Sequence, residues 1–113
     1  MTVYEKPTCS TCRALAELLE SRGIPFDQVD YQVFGISEDR IRELLRKAEI
    51  GPRDALRTKE PIYAELGLAD RDVDDDELIR LMAEHPRLLQ RPIVELGDRA
   101  VLARPPERVL DLL

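Results

Sequence analysis

The sequence predicts an α/β protein: one domain over residues 1–113, with a four-stranded mixed sheet and an all-helical insertion at about residues 37–90. Three observations lead to this prediction. A strand–helix–strand pattern occupies roughly the first thirty residues. A stretch with helical signals follows it. Two β-prone segments joined by a short turn, and then a helix opened by proline, complete the chain.

The first unit begins with a short β-prone segment, Thr2–Tyr4. From Cys9 onward, leucines recur at helical spacing until Gly23, which is a natural helix stop. Residues Phe26–Tyr31 then alternate in polarity like a half-buried strand. A strand–helix–strand unit makes a right-handed crossover, so we expect the two strands to be parallel.

The helical insertion opens at Ser37, a good N-cap with acidic residues in the turn that follows. An apolar stripe then continues until the chain reaches Gly51. Two short helices are predicted at residues 52–56 and 61–66. Asp74 and Glu77 have capping-box spacing ahead of a further helix, which ends at His85.

The last part of the chain predicts a β-hairpin and a terminal helix. Residues 92–96 and 100–103 are β-prone and flank a Gly97-Asp98 turn. Pro105 and Pro106 open the final helix. The order β-α-β, helical block, β-β-α is the thioredoxin-like arrangement.

Composition excludes several classes of function. The chain is 43% hydrophobic and 35% charged, which is ordinary for a globular protein, and its net charge is −6. No predicted face concentrates Lys and Arg, so we expect no nucleic-acid binding. The N-terminus lacks the pattern of a signal peptide, and no apolar run approaches the ~20 residues of a membrane helix. We therefore expect a cytoplasmic protein without a membrane partner.

The strongest chemical signal is the pair of cysteines in Cys9-Ser10-Thr11-Cys12, placed after a strand and at the start of a helix. Unpaired N–H groups and the helix dipole stabilise a thiolate at this position. Cys9 is expected to be the outer, attacking sulfur. Cys12 lies nearly one turn further on the same face, where it can resolve a mixed disulfide.

Two other interpretations of the cysteine pair remain open at this point. A zinc site needs four ligands, but only His85 is available besides the cysteines, so we predict no metal. His85 itself is expected to help end a helix before Pro86. A purely structural, unreactive pair would leave the position at a helix start unexplained. Redox chemistry is therefore the favoured interpretation.

Several motifs together resemble the glutaredoxin-linked arsenate reductase (ArsC) family, which also contains Spx-type transcriptional regulators. The motifs are spread through the whole chain. They are Val3–Arg13, Ala55–Arg57, Tyr63–Leu68, Glu84–Pro86, Gln90–Val94 and Ala103–Pro105.

The resemblance implies an enzyme in which one cysteine attacks arsenate or a related oxyanion and three arginines hold the anion. Cys9 matches the attacking cysteine, and Arg57, Arg91 and Arg104 match the arginines. Guanidinium groups suit such an anion because they form bidentate, charge-assisted hydrogen bonds. Arg13 adds positive charge in the first helical turn. The implied electron donor is glutathione with glutaredoxin, or a thioredoxin-type protein, and no bound cofactor is expected.

Cys12 departs from the pattern of these reductases, which commonly lack a second cysteine at its position. Spx-type regulators often carry CxxC and use it as a disulfide switch while bound to RNA polymerase. The alternative interpretation is therefore a redox-sensing regulator that binds RNA polymerase. The arginines favour the enzyme, since those regulators generally lack them at the positions of Arg57 and Arg104.

Overall fold

The chain, described over residues 1–113 in a computed structural model, forms the predicted four-stranded mixed sheet. Its strands are β1 (Thr2–Glu5), β2 (Asp27–Asp30), β3 (Ile93–Leu96) and β4 (Arg99–Leu102). Their order across the sheet is β2-β1-β3-β4. β1 runs parallel to β2 and antiparallel to β3, which forms a hairpin with β4. The predicted α/β architecture is confirmed.

Five α-helices accompany the sheet. They are α1 (Ser10–Ser21), α2 (Tyr31–Phe34), α3 (Glu38–Ala48), α4 (Pro61–Glu65) and α5 (Asp75–Glu84). Three 3₁₀ helices cover Pro52–Ala55, Pro86–Leu88 and Pro106–Leu112. Four of the α-helices therefore lie between β2 and β3 in the chain. None of the helices combines the length and the apolar character needed to cross a bilayer.

Two helix starts follow the capping signals in the sequence. The Ser37 hydroxyl accepts a hydrogen bond from the Arg40 N–H at 3.1 Å. The Asp74 carboxylate accepts one from the Glu77 N–H at 2.8 Å. Each side chain satisfies a backbone donor that the helix itself leaves unpaired. Both predicted N-caps are confirmed.

Two predicted elements were wrong in part. The strand expected to run to Tyr31 ends at Asp30, because the Asp30 carboxylate accepts hydrogen bonds from the N–H groups of Gln32 and Val33 and starts α2. The final helix is a 3₁₀ helix, Pro106–Leu112, which tightens the last turns of the chain.

The core lies on both faces of the sheet. On one face, Tyr4 and Ile93 pack into a cluster of fifteen buried residues that includes the inward sides of α3 and α5. On the other face, Val3 and Val94 pack with α1 and the terminal 3₁₀ helix in a cluster of eight. The second packing fixes α1 against the sheet, and with it the loop between β1 and α1.

Candidate active site

Cys9 is the N-cap residue of α1. Its sulfur accepts a hydrogen bond from the Cys12 N–H at 3.4 Å, taking the place of the usual capping oxygen. The Cys9 N–H donates to the Lys6 carbonyl at 2.9 Å, which closes the loop that leads out of β1. The residue is half-buried, so its sulfur is held by the helix start and still reaches solvent.

The environment of Cys9 favours its thiolate. Burial opposes ionisation, but the thiol and N–H of Cys12 and the positive charge of Arg91 stabilise the thiolate and outweigh it. They lower the pKa of Cys9 to about 7. A substantial fraction of Cys9 is therefore ionised at neutral pH, which is the state that a nucleophile needs.

Cys12 has the opposite character. It is 1% exposed, and burial is the main reason why its pKa rises to about 12, against a lowering contribution from the Lys6 N–H. Its hydrogen bond to Cys9 and the charges of Cys9 and Glu5 raise it further. The pair thus consists of an outer, ionisable sulfur and an inner, protonated one.

Arg91 supplies the positive charge beside Cys9. Only 6% of the residue is exposed, and its Nε and Nη1 atoms are buried without a hydrogen-bond partner. No carboxylate lies within ion-pair distance of its guanidinium group. The residue directly precedes Pro92, and the peptide bond between them is cis. A buried cation with unsatisfied donors is costly and points to an anion that completes the site.

Two other arginines contact the Gln90–Arg91 segment, one through the Gln90 side chain and one through the Arg91 backbone. The Gln90 side-chain oxygen accepts hydrogen bonds from Arg57 Nη1 at 2.7 Å and from the Arg91 N–H at 3.2 Å. Arg104 Nη1 donates to the Arg91 carbonyl oxygen at 3.2 Å. The guanidinium groups of Arg57 and Arg104 therefore contact the segment that carries Arg91, the third arginine predicted to hold the anion.

A short bridge explains how Arg57 reaches this segment. Leu56 and Leu89 form an isolated antiparallel pair. The Arg57 N–H donates to the Leu88 carbonyl, and the Gln90 N–H donates to the Ala55 carbonyl, both at 2.8 Å. The stretch after the first 3₁₀ helix is thereby tied to the stretch that leads into β3.

The predicted anion-binding residues differ in their surroundings. Arg91 is beside Cys9, and Arg57 is half-buried and also pairs with Glu60 at 3.2 Å. Arg104 is exposed, and its one side-chain hydrogen bond is the one to the Arg91 backbone. The Arg13 side chain is exposed and makes no hydrogen bond. Hydrogen bonds to Gln90 and to the Arg91 backbone therefore connect Arg57 and Arg104 to Arg91, whereas the Arg13 side chain makes no such bond.

Three residues at or near the site were not predicted as functional candidates from the sequence. Gln90 bonds both Arg57 and Arg91; its place next to Arg91 was its only signal. Tyr31 is fully buried, and its hydroxyl donates to the Leu89 carbonyl. Glu5 is a buried carboxyl at the end of β1. The strand predicted at Thr2–Tyr4 stopped before this residue and gave no signal for it.

A cleft of about 570 Å³ adjoins the loop before Cys9. Lys6 lines it, together with Gln32 and Val33 on α2. Residues of α4, Glu84 at the end of α5 and His85 after it complete the lining. The Gln32 Nε2 atom is buried without a partner. No three His, Cys, Asp or Glu side chains are arranged to hold a metal ion.

Comparison with protein families gives a match over nearly the whole chain. The ArsC family model matches residues 4–112. An arsenate reductase from Neisseria meningitidis serogroup B is 36% identical over 108 residues, which are 95% of this chain and 92% of the relative. The uncharacterized protein YfgD of Escherichia coli K12 is 35% identical over 112 residues, covering 98% and 94% of the two chains.

Comparison with solved structures gives the same result. An arsenate reductase from Vibrio cholerae superposes with a TM-score of 0.93 at 39% identity, covering 100% of this chain and 98% of the other. An overlap of this extent, at this identity, includes the sheet, the helical insertion and the loops that carry the cysteines and arginines described above.

Proposed function

The chain belongs to the ArsC family, and we propose that it is a thiol-dependent reductase of arsenate or a related tetrahedral oxyanion, with Cys9 as its nucleophile. The family relationship supports an oxidoreductase that takes an oxyanion substrate and a thiol reductant. The assignment of substrate, electron donor and residue roles to this chain is the proposal.

The observation that carries the proposal is the pairing of Cys9 with Arg91. A sulfur with a pKa of about 7 lies beside a buried guanidinium group that has two unsatisfied donors. An oxyanion bound there would satisfy those donors and bring its central atom to the thiolate. Arg57 and Arg104, which converge on the Gln90–Arg91 segment, would add further charge around the bound anion.

In the first proposed step, the Cys9 thiolate attacks the arsenic atom of arsenate. A sulfur–arsenic bond forms and one arsenic–oxygen bond breaks, the oxygen leaving as water after it takes up protons. Arsenic stays pentavalent in this adduct. Arg57, Arg91 and Arg104 would stabilise the negative charge on the remaining oxygens while sulfur replaces oxygen on arsenic.

In the second proposed step, another thiolate attacks the Cys9 sulfur of the adduct. A disulfide forms, the sulfur–arsenic bond breaks, and its electron pair stays on arsenic, which leaves as trivalent arsenite. If glutathione supplies the thiol, a mixed disulfide remains for glutaredoxin to reduce. If Cys12 supplies it, the product is a Cys9–Cys12 disulfide that a glutaredoxin or thioredoxin-type dithiol reduces.

A coupled assay tests the proposal. Wild-type protein with glutathione, glutaredoxin, glutathione reductase and NADPH should consume NADPH when arsenate is added, and Cys9→Ser should abolish that consumption. Ser21→Ala, which removes an exposed hydroxyl at the far end of α1, serves as the control and should keep full activity. Wild-type protein with no arsenate-dependent NADPH consumption would remove arsenate as substrate.

One observation favours a second candidate function. Cys12 lies within hydrogen-bonding reach of Cys9, and a close cysteine pair also suits a redox switch that docks on RNA polymerase. This alternative expects the chain to co-purify with RNA polymerase in one oxidation state of the pair and not in the other. Absence of binding in both states would eliminate it.

A further inference from the structure

The one buried carboxyl group of the chain, on Glu5, has no role in the chemistry described so far. Glu5 is 3% exposed, and among the buried residues only Arg91 shares its charged character. Its side chain makes no hydrogen bond and no ion pair within the protein. A glutamate with so little exposed surface is uncommon, because a carboxylate loses much of its hydration there, and the position calls for a functional explanation.

The alternation of β1 shows where Glu5 points. Residues two apart in a strand face the same side, so Glu5 shares its face with Val3. Val3 packs with Leu15 and Leu19 of α1 in the smaller core cluster. Cys12 lies one turn before Leu15 on the same buried side of the helix. Glu5 therefore faces the first turn of α1, and its negative charge acts on the Cys12 thiol.

We propose that Glu5 is the proton acceptor for the Cys12 thiol when Cys12 attacks the sulfur of Cys9. This inference rests on the proposed function, in its variant with Cys12 as the resolving thiol. The Glu5 carboxylate takes the proton from Cys12, and the new thiolate forms the disulfide with Cys9. The electron pair of the broken bond goes to the leaving group, and the proton on Glu5 follows to that group or to solvent.

The buried thiol needs such an acceptor. With a pKa of about 12, roughly one Cys12 in 100,000 is ionised at pH 7. Burial, followed by the charge of Asp30 on β2, raises the pKa of Glu5, so this carboxyl holds a proton more tightly than an exposed glutamate does. Besides Asp30, the ionisable groups tied to Glu5 are Cys12 on α1, on which its charge acts, and Lys6, the next residue in the chain.

A purely electrostatic role for Glu5 makes the opposite prediction. The negative charge of Glu5 raises the pKa of Cys12, so removal of the charge would increase the thiolate fraction. If Glu5 acted only through its charge, it would slow the attack of Cys12 on the Cys9 sulfur in wild type, and Glu5→Gln would make that attack faster. A proton acceptor assists the attack, and Glu5→Gln would slow it. The sign of the effect separates the two roles.

The test uses dithiobis(nitrobenzoate) and needs no arsenate. Cys9 attacks the reagent and releases one thionitrobenzoate, which leaves a mixed disulfide on Cys9. Cys12 then attacks the Cys9 sulfur and releases the second. We expect Glu5→Gln, which keeps the shape of the side chain, to leave the first release within about twofold and to slow the second about a hundredfold at pH 7. The first release also reports that the variant is folded.

A second variant shifts the proton affinity of Glu5 and leaves the carboxyl in place. Asp30→Asn removes the neighbouring charge and keeps an oxygen that can cap α2. We expect the pH profile of the second release to move to lower pH, with its plateau rate changed less than in Glu5→Gln. At high pH, where hydroxide can remove the proton, the difference between wild type and Glu5→Gln should narrow.

A slowing of the second release by tenfold or more in Glu5→Gln supports the proposal. An unchanged or faster second release, or a slowing below tenfold, overturns it. Arsenate turnover is scored separately in the NADPH assay, so the two hypotheses fail independently. Loss of arsenate turnover with a slowed second release would overturn only the substrate assignment.

Discussion

Tyr31 and Leu89 lie 58 residues apart in the chain, and the Tyr31 hydroxyl donates a hydrogen bond to the Leu89 carbonyl at 2.5 Å. Tyr31 begins α2, directly after β2, while Leu89 leads into the Gln90–Arg91 segment. The bond is buried, so no water competes for either atom. It therefore ties the end of the first strand–helix–strand unit to the backbone that carries Gln90 and Arg91.

Tyr31→Phe should destabilise the protein by about 1–3 kcal/mol, because the Leu89 carbonyl would be left buried without this donor. The free energy of unfolding in urea measures the effect. Tyr63→Phe is the matched control, since the Tyr63 hydroxyl is only half-buried and makes no hydrogen bond. Equal unfolding free energies in the two variants would contradict the importance assigned to the bond.

The pH dependence of alkylation should identify Cys9 as the reactive thiol. The thiolate is the reacting form, so the rate with iodoacetamide should rise as the pH increases through about 7 and level off above it. Cys12, with its pKa raised to about 12, should stay unmodified over the same range. Peptide mass analysis assigns the modified residue, and modification of Cys12 first would refute the division of roles.

Arg91→Ala should raise the pKa of Cys9, because the positive charge of the guanidinium group favours the thiolate. The midpoint of the alkylation profile should move upward from about 7 toward that of an ordinary thiol. Arg13→Ala is the control: its exposed side chain makes no hydrogen bond, and the midpoint should hardly move. If Arg13→Ala moved the midpoint further than Arg91→Ala, then Arg13, and not Arg91, would be the main residue that stabilises the Cys9 thiolate.

Arg91→Ala should also weaken oxyanion binding by about 1.5–3 kcal/mol, the range for hydrogen bonds to charged groups. Calorimetric titration with arsenate, in a Cys9→Ser background that prevents covalent reaction, gives the dissociation constant. Arg22→Ala removes an exposed guanidinium group at the far end of α1 and should leave the constant unchanged. If the Arg91 variant bound arsenate as tightly as its background, Arg91 would lie outside the anion site.

Glu95 should control the acid stability of the sheet. It accepts hydrogen bonds from Lys47 at 2.7 Å and from Arg40, and its side chain is 12% exposed. Although burial raises its pKa, these bonds outweigh it and lower the pKa below the ordinary value. A depressed pKa in the folded state means that the stabilisation is present above the pKa of the unfolded chain, about 4.3, and is lost as the pH falls through the folded value.

Glu95→Gln should therefore lower the free energy of unfolding at pH 7 by about 1.5–3 kcal/mol and flatten its decline below pH ~4. Urea unfolding at several pH values measures both effects. Glu77→Gln is the control: Glu77 bonds Arg80 on the surface of α5, where solvent screens the ion pair, so the free energy of unfolding should hardly change. If the free energy of unfolding of Glu95→Gln fell below pH ~4 as steeply as that of wild type, another group would be responsible for the acid dependence.

The sequence was informative wherever local chemistry decides the structure. Ser37 and Asp74 cap helices because their oxygens satisfy donors three residues away, and the spacing is visible in the chain. The cysteine pair was placed correctly at a helix start because the strand before it and the leucines after it are local signals. Arg91 was selected through its motif, and the structure puts it beside Cys9.

The parts that escaped prediction depend on distant partners. Alternating polarity assigned Tyr31 to a strand, but its hydroxyl bonds Leu89 and the Asp30 carboxylate begins a helix there. The link between Arg57 and Gln90 follows from a two-residue bridge between remote segments, which leaves no periodic pattern. A strand of four residues gave no hint that the carboxyl of Glu5 turns inward.

Because the sulfur that reacts is also the atom that caps α1, each catalytic cycle would remove the cap and restore it. Once Cys9 is bonded to arsenic or to another sulfur, it is a poor acceptor, and the Cys12 amide loses its partner. The first turn of α1 would be less stable while Cys9 is bonded to arsenic or to another sulfur. It would regain its cap when the free Cys9 thiolate is restored. The Cys12 amide should exchange its hydrogen slowly in the reduced protein and faster in the disulfide form. Its exchange rate would therefore report the chemical state of Cys9.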